Sequence, residues 1–193
     1  MSRSDGQAAS QTFMEEVIAS VPGDSRFRMC LHCGVCGGSC PSGADMDHTP
    51  RALFALVAAG LKDRALRSNT PWDCVSCYYC MARCPQEVHI PEIMYALKRM
   101  AIREGLYRES SAADVPTFSG IFISMVENYG RSNELGLAVR YHLRYHPLDM
   151  IGMVPLGLKM LSKGRTGLIP KRIRGVQQLK AILVKAKELE NAL

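Results

Sequence analysis

With no aromatic residue beyond Pro147, the basic tail lacks the stacking side chains that a single-strand nucleic-acid binder interleaves with its cations. No apolar run approaches the roughly 20 residues of a membrane span. Alternating strand patterns are missing as well, as is a G-x-G-x-x-G fingerprint between a strand and a helix. Acids are absent from one long stretch: Met150 to Lys187 holds nine Lys or Arg and no Asp or Glu. With Glu188 and Glu190, the tail from 150 onward carries +7 against a chain total of +6, so the rest is slightly acidic. Such a basic tail suits an acidic partner or an anionic membrane surface, and no nucleic acid is expected. The opening residues MSRSDGQAASQTFMEEV lack the apolar core of a secretory leader, so a cytoplasmic location is expected.

What is present is cysteine, in two tight groups. Eight Cys lie in a chain of 193 residues, four between Cys30 and Cys40 and four between Cys74 and Cys84. Cys30-Leu-His-Cys33-Gly-Val-Cys36-Gly-Gly-Ser-Cys40-Pro41 recurs in form as Cys74-Val-Ser-Cys77-Tyr-Tyr-Cys80-Met-Ala-Arg-Cys84-Pro85. In C-x2-C-x2-C-x3-C-P, the two-residue spacers wrap three thiolates around three corners of an iron–sulfur cubane, while the fourth Cys reaches the other cluster. Two [4Fe–4S] clusters are therefore expected. Cys30, Cys33, Cys36 and Cys84 would hold the first, and Cys74, Cys77, Cys80 and Cys40 the second. Zinc sites use Cys pairs set further apart, and disulfides do not suit a reducing compartment. Gly34, Gly37 and Gly38 are expected to turn backbone N–H groups toward the sulfurs of the first loop. Tyr78, Tyr79, Met81 and Arg83 make the second loop bulkier, so the two clusters should differ in potential.

Around the motifs the periodicity is helical, which gives a mainly α fold. Thr12 to Glu15 has the form of a capping box, followed by Phe13, Val17 and Val21 at helical spacing up to Pro22-Gly23. Thr49-Pro50 and Ile90-Pro91 each place proline at a helix start, with helices expected to Gly60 and over 91–104 and a short one through Leu66. Further helices are expected within 111–133, over 135–145 and over 176–189, with Pro155, Gly157, Gly164, Gly167 and Pro170 dividing the tail between them. The expected organisation is a helical lead over 1–25, a dicluster domain over 26–105, and a basic helical extension over 106–193 for subunit docking. The apolar, Met-rich run from Met150 to Leu161 reads as a docking element, as a core segment closing the bundle, or as a membrane-surface element. His142 and His146 share a helix face, but no third metal ligand lies nearby.

The 33 residues from Pro41 to Asp73 separate the motifs with helix, unlike the short insert of a small bacterial ferredoxin. This arrangement resembles the alpha-helical ferredoxin module of succinate dehydrogenase iron–sulfur subunits, the glycerol-3-phosphate dehydrogenase C subunit and the heterodisulfide reductase C subunit. The chain lacks the additional [2Fe–2S] cysteines of the first and the Cys-Cys-Gly motifs of the second. It therefore resembles the heterodisulfide reductase C subunit and its Hdr-like relatives, specifically over residues 26 to 105. The resemblance implies an electron-transfer subunit, not itself catalytic, between a flavin-containing A-type subunit and a Cys-Cys-Gly-containing B-type subunit. The setting expected is sulfur metabolism, with bacterial Hdr-like sulfur oxidation favoured over methanogen-type disulfide reduction. A free-standing dicluster ferredoxin serving several enzymes is the alternative, and a pure chain should show no disulfide turnover.

Overall fold

Helices begin where the sequence supplies caps and prolines, as the computed structural model shows; it describes residues 13–111, 114–145, 147–164 and 171–191. Thr12 lies outside these residues. The chain divides into two compact units, Met1–Ala113 and Asp114–Leu193. The boundaries expected at 25 and 105 both fall inside the first unit. The fold is mainly α, and the described residues contain no strand.

In the first unit, residues 13–19 form α1, which buries Phe13 and Val17. Val21 is buried just beyond its end. Its end is held by Arg99, whose Nη2 donates to the Ser20 carbonyl at 2.5 Å. A single 3-10 turn, Phe27–Met29, delivers the chain to Cys30 and sets the Phe27 ring 4.8 Å from that of Phe54. Then follow α2 (Val35–Gly38) and α3 (Pro50–Ala58). Thr49 caps α3 by accepting the Ala52 N–H at 3.3 Å, with Pro50 in the first turn where no N–H is needed. Gly60, at φ +72°, ends that run, and α4 (Lys62–Arg67) and α5 (Thr70–Asp73) complete the insert. After α6 (Tyr79–Ala82) in the second loop, α7 (Ile90–Arg103) supplies the central helix of the unit.

Apolar spacing explains why α7 sits there. Ile93, Met94, Leu97 and Met100 recur on one face and are all buried. Helix α7 packs on α4 and α4 on α3, whose Leu53, Phe54 and Val57 are buried, as is Leu66 of α4. Each fully buried Leu, Ile or Phe contributes about 1.5–3 kcal/mol relative to exposure. The unit runs past 105 because a second 3-10 turn, Leu106–Glu109, folds back on α4. There the Tyr107 ring lies 6.3 Å from Trp72, and Glu109 pairs with Arg67. Lys62 ties three segments together at the surface, binding Glu16 at 2.9 Å and Glu104 at 2.7 Å.

The second unit contains α8 (Asp114–Tyr129), α9 (Glu134–Tyr145), α10 (Asp149–Ser162) and α11 (Val176–Asn191). Helix α8 packs on α9 and α11, and α10 on α9. Tyr141 organises the first contact: its hydroxyl donates to Asp114 Oδ2 at 2.8 Å and its ring meets the edge of Phe118 at 5.6 Å. Asp114 in turn raises the pKa of the Tyr141 phenol, through that bond and its charge.

One feature of the tail differs from the expectation. Pro155 does not divide it, because α10 runs through the proline without a break. The hydrogen bond that Pro155 cannot donate falls on an exposed helix, where water can satisfy the carbonyl. Of the three readings of the Met-rich run, a core segment does not fit, since Ile151 and Leu158 are 68% and 62% exposed. Among the described residues, no helix is long and apolar enough to cross a membrane.

Candidate metal centres

The two cysteine loops fold alike because they repeat the same backbone signs. His32 (φ +51°) and Ser76 (φ +52°) precede the second Cys of each loop, and Gly34 (φ +89°) and Tyr78 (φ +61°) follow it. Left-handed residues next to right-handed ones make concave runs of N–H groups, the kind of nest that holds anions and iron–sulfur sites. Glycine meets this demand without strain at 34, whereas His32, Ser76 and Tyr78 adopt it at a cost. Each loop then enters one turn of helix, α2 or α6, and these two turns pack against each other.

The eight thiols gather into two groups. Cys30, Cys33, Cys36 and Cys84 line one cavity, and Cys40, Cys74, Cys77 and Cys80 line another. Each cavity thus takes three cysteines from one loop and one from the other. The two cavities are nearly equal in size, and both open to solvent. None of the eight forms a disulfide. In both loops the second Cys, Cys33 or Cys77, is the exposed one, while the other six are half-buried.

Crossing is enforced by contacts on both sides. The His89 N–H donates to the Ser25 carbonyl at 3.0 Å, which ties the extended lead of the first loop to the exit of the second. Beyond the first loop, segment 45–48 is bonded to Asn69 and Thr70 at the entry of the second. Met46 in that segment brings its sulfur 4.0 Å from Cys40 Sγ.

Burial raises the pKa of Cys30, Cys36 and Cys40, and it pushes Cys80 up to about 11. Neighbouring thiols add to the effect, Cys84 on Cys30 and Cys74 on Cys80 among them. A group of thiols that resists ionisation becomes a set of thiolates only when positive charge enters among them, as a bound iron cluster provides. Backbone N–H groups partly oppose the burial: His32 bonds Cys30, Gly37 bonds Cys36, Ser42 bonds Cys40 and Met81 bonds Cys80. The Val88 N–H lies 3.4 Å from Cys84 Sγ. Among the described residues, no three His, Cys, Asp or Glu side chains converge tightly enough for one metal ion. A tetrahedral zinc would need its thiolates about 2.3 Å from one point. A multi-iron cage, with one ligand per corner, suits this donor set.

Of the three first-loop glycines, Gly34 answers a backbone demand and Gly37 a packing one. A Cβ there would stand 3.1 Å from Thr49 Cβ and 3.3 Å from its Oγ1, the atom that caps α3. Gly38 has open space. Gly37→Ala should therefore lose about 1 kcal/mol despite alanine's higher helix propensity. A thermal melt of the anaerobic protein measures this, and an unchanged or raised melting temperature would contradict the packing argument. In the second loop, Arg83 stacks on Tyr79, its guanidinium 4.2 Å from the ring centre and Nη2 donating to the hydroxyl at 2.5 Å. Residue His146 lies outside the described residues, and His142 lines an apolar groove between α9 and α10.

Comparison with known proteins first defines the class: residues 29–89 match the family of 4Fe-4S dicluster domains. The cysteine-bearing segment is thus similar to 4Fe-4S dicluster domains. The particular likeness is to the C subunits of heterodisulfide reductases. The chain is 37% identical over 90 residues to the C subunit of the H(2):CoB-CoM heterodisulfide,ferredoxin reductase of Methanothermobacter marburgensis, covering 47% of this chain and 48% of that one. It is 42% identical over 79 residues to the C subunit of the ferredoxin/F(420)H(2)-dependent CoB-CoM heterodisulfide reductase of Methanosarcina acetivorans, covering 40% and 47%. An Archaeoglobus profundus protein, described as like the heterodisulfide reductase C subunit, is 32% identical over 98 residues, covering 49% and 52%. The chain therefore matches about half the length of these curated relatives.

Proposed function

We propose that this chain relays single electrons within a heterodisulfide reductase-like complex, through two [4Fe–4S] clusters held in crossed fashion. Cys30, Cys33, Cys36 and Cys84 hold one, and Cys40, Cys74, Cys77 and Cys80 hold the other. When bound, the clusters supply reversible one-electron storage. The side chains around them position, insulate and tune. The observation that carries the reading is the pair of similar cavities, each with one exposed cysteine edge. Around Cys33 the exposed apolar side chains are Met29, Leu31 and Val35; around Cys77 they are Val75, Tyr78 and Tyr79. Two apolar-rimmed edges suit a relay that meets one partner at each.

The partners proposed are a flavin-containing A-type subunit and a Cys-Cys-Gly-containing B-type subunit, with the chain itself non-catalytic and cytoplasmic. The exposed apolar face of α10 and the basic tail after it provide a separate docking extension, beginning after the cluster-bearing unit. Sulfur oxidation is the setting proposed, with methanogen-type disulfide reduction the competing one. The cluster loops serve either, so the substrate is decided by the B-type partner.

Affinity capture from the native cell tests this. Stoichiometric recovery of a flavoprotein and a Cys-Cys-Gly protein is expected, together with about eight irons per chain. Capture of the chain alone, with both clusters and exchange with several unrelated enzymes, would instead mark a free ferredoxin.

A further inference from the structure

The walls of the two cavities differ in charge. Arg51, the second residue of α3, lines the first cavity. Its Nε donates to the His32 carbonyl at 3.1 Å, and its Cδ passes 3.8 Å from the point where a side chain at Gly34 would begin. The guanidinium is thus fastened across the turn that carries Cys33. The lining of the second cavity includes no Lys, Arg, Asp or Glu; besides its cysteines it is mostly apolar, with Met46, Ile90 and Met94 among the contacts.

The repeat sharpens the contrast. Pro50 and Pro91 lie in the first turns of α3 and α7 after the first and second loops, and the residue that follows each is Arg51 or Glu92. Arg51 reaches the turn at Gly34, whereas the carboxylate of Glu92 faces the phenol of Tyr78, the residue equivalent to Gly34. The same position therefore carries opposite charge in the two halves. One cation does reach the second loop: Lys98 Nζ lies 3.3 Å from the Cys74 carbonyl, over the Tyr95 and Trp72 rings at 5.3 and 5.9 Å. It lies outside the wall of the cavity.

We propose that Arg51 sets the order of the two potentials, making the cluster at Cys30, Cys33, Cys36 and Cys84 the more easily reduced and so the electron's destination within the chain. This rests on the dicluster reading above. Reduction adds one negative charge to a cluster, and a cation fixed beside it favours that charge; Arg51 is exposed, so solvent reduces this effect without abolishing it. In the internal step, one electron leaves the cluster at Cys40, Cys74, Cys77 and Cys80, which is oxidised, and enters the first, which is reduced. A redox partner at the Cys77 edge supplies the electron, and one at the Cys33 edge removes it. Arg51 acts as a positioning residue in a second sense, because it also fixes the His32 carbonyl.

An anaerobic redox titration of the full-length, cluster-loaded chain, followed by electron paramagnetic resonance, tests the order. Two one-electron steps are expected, and Cys33→Ser should perturb the higher. Arg51→Gln should lower that higher step by up to the ~59 mV of a tenfold change in a one-electron equilibrium, leaving the lower step in place. Arg51→Lys, which keeps the charge but not the fork, should retain most of the native value. A purely structural role predicts equal damage from both variants. If Arg51→Gln fails to hold iron, Glu92→Gln remains: it should raise the lower step and narrow the gap. Movement of the wrong step, or no movement in a variant with full iron content, overturns the order while leaving the dicluster reading intact. A native chain with far fewer than about eight irons overturns both.

Discussion

Cys84→Ser is expected to cut the iron content from about eight to about four per chain and to destabilise the first unit by about 4 kcal/mol. Cys84 lies in the second motif, yet it lines the cavity of Cys30, Cys33 and Cys36. A cluster bonded to all four closes the long chain segment between Cys36 and Cys84, restraining the unfolded chain much as a disulfide would. Cys40→Ser should act equally, because Cys40 joins the cavity of Cys74, Cys77 and Cys80. The uncrossed arrangement makes a different prediction: each cluster would close only a short loop, and either loss would cost far less. Iron and sulfide assays with anaerobic thermal melts distinguish the two. Retention of full iron by both variants would sink the crossed assignment. Chelation of the native protein should follow the same logic and melt the first unit before the metal is fully removed.

The cysteine spacing made the centres legible in the sequence because cluster ligation is local: three ligands within seven residues leave little else the chain can do. Helix starts at Thr49-Pro50 and Ile90-Pro91 were legible for the same reason, since a cap or a first-turn proline acts within one turn. Pro155 shows where local rules fail. Its position suggested a break, but an exposed helix can leave one carbonyl to water, and α10 continues. The end of the first unit was hidden too. Nothing local to 106–109 announces that Tyr107 will reach Trp72 or that Glu109 will reach Arg67, because those partners are distant in sequence.

Loop asymmetry was half legible. Bulky Tyr78 and Tyr79 against glycine suggested unequal potentials, without an order. Arg51 gave no signal beyond being a basic residue in the first turn of α3, a poor place for a cation beside the positive end of a helix dipole. Its bond to the His32 carbonyl supplies a reason for that choice. The demand for glycine at 37 was equally invisible, as it comes from Thr49 across a tertiary contact.

Asn69→Ala should destabilise the first unit by about 3 kcal/mol, and it should release iron from the second centre sooner than from the first. Segment 45–48 has no helix or sheet to satisfy its backbone, so side chains do the work. Asn69 Oδ1 accepts the Asp47 N–H at 2.6 Å, and Asn69 Nδ2 donates to the Asp45 carbonyl at 2.9 Å. In return Asp47 Oδ2 accepts the Asn69 N–H at 2.8 Å. Thr70, fully buried, extends the clamp: its Oγ1 donates to the His48 carbonyl at 2.7 Å and accepts the His48 N–H at 3.0 Å. Alanine at 69 strands one donor and one acceptor in a half-buried site, each at a cost of about 1–3 kcal/mol. Met46 then loses its anchor, and with it the packing against Cys40 and the second cavity. Thr70→Ser, which keeps the hydroxyl, should be mild, whereas Thr70→Val should approach the loss at Asn69. By contrast, Arg28→Ala removes only an exposed pairing with Glu15 and should change stability by less than about 1 kcal/mol. Anaerobic melts and the time course of iron transfer to a chelator measure both effects. Equal release from the two centres in Asn69→Ala would show that the clamp serves the whole unit rather than the Cys40 side of it.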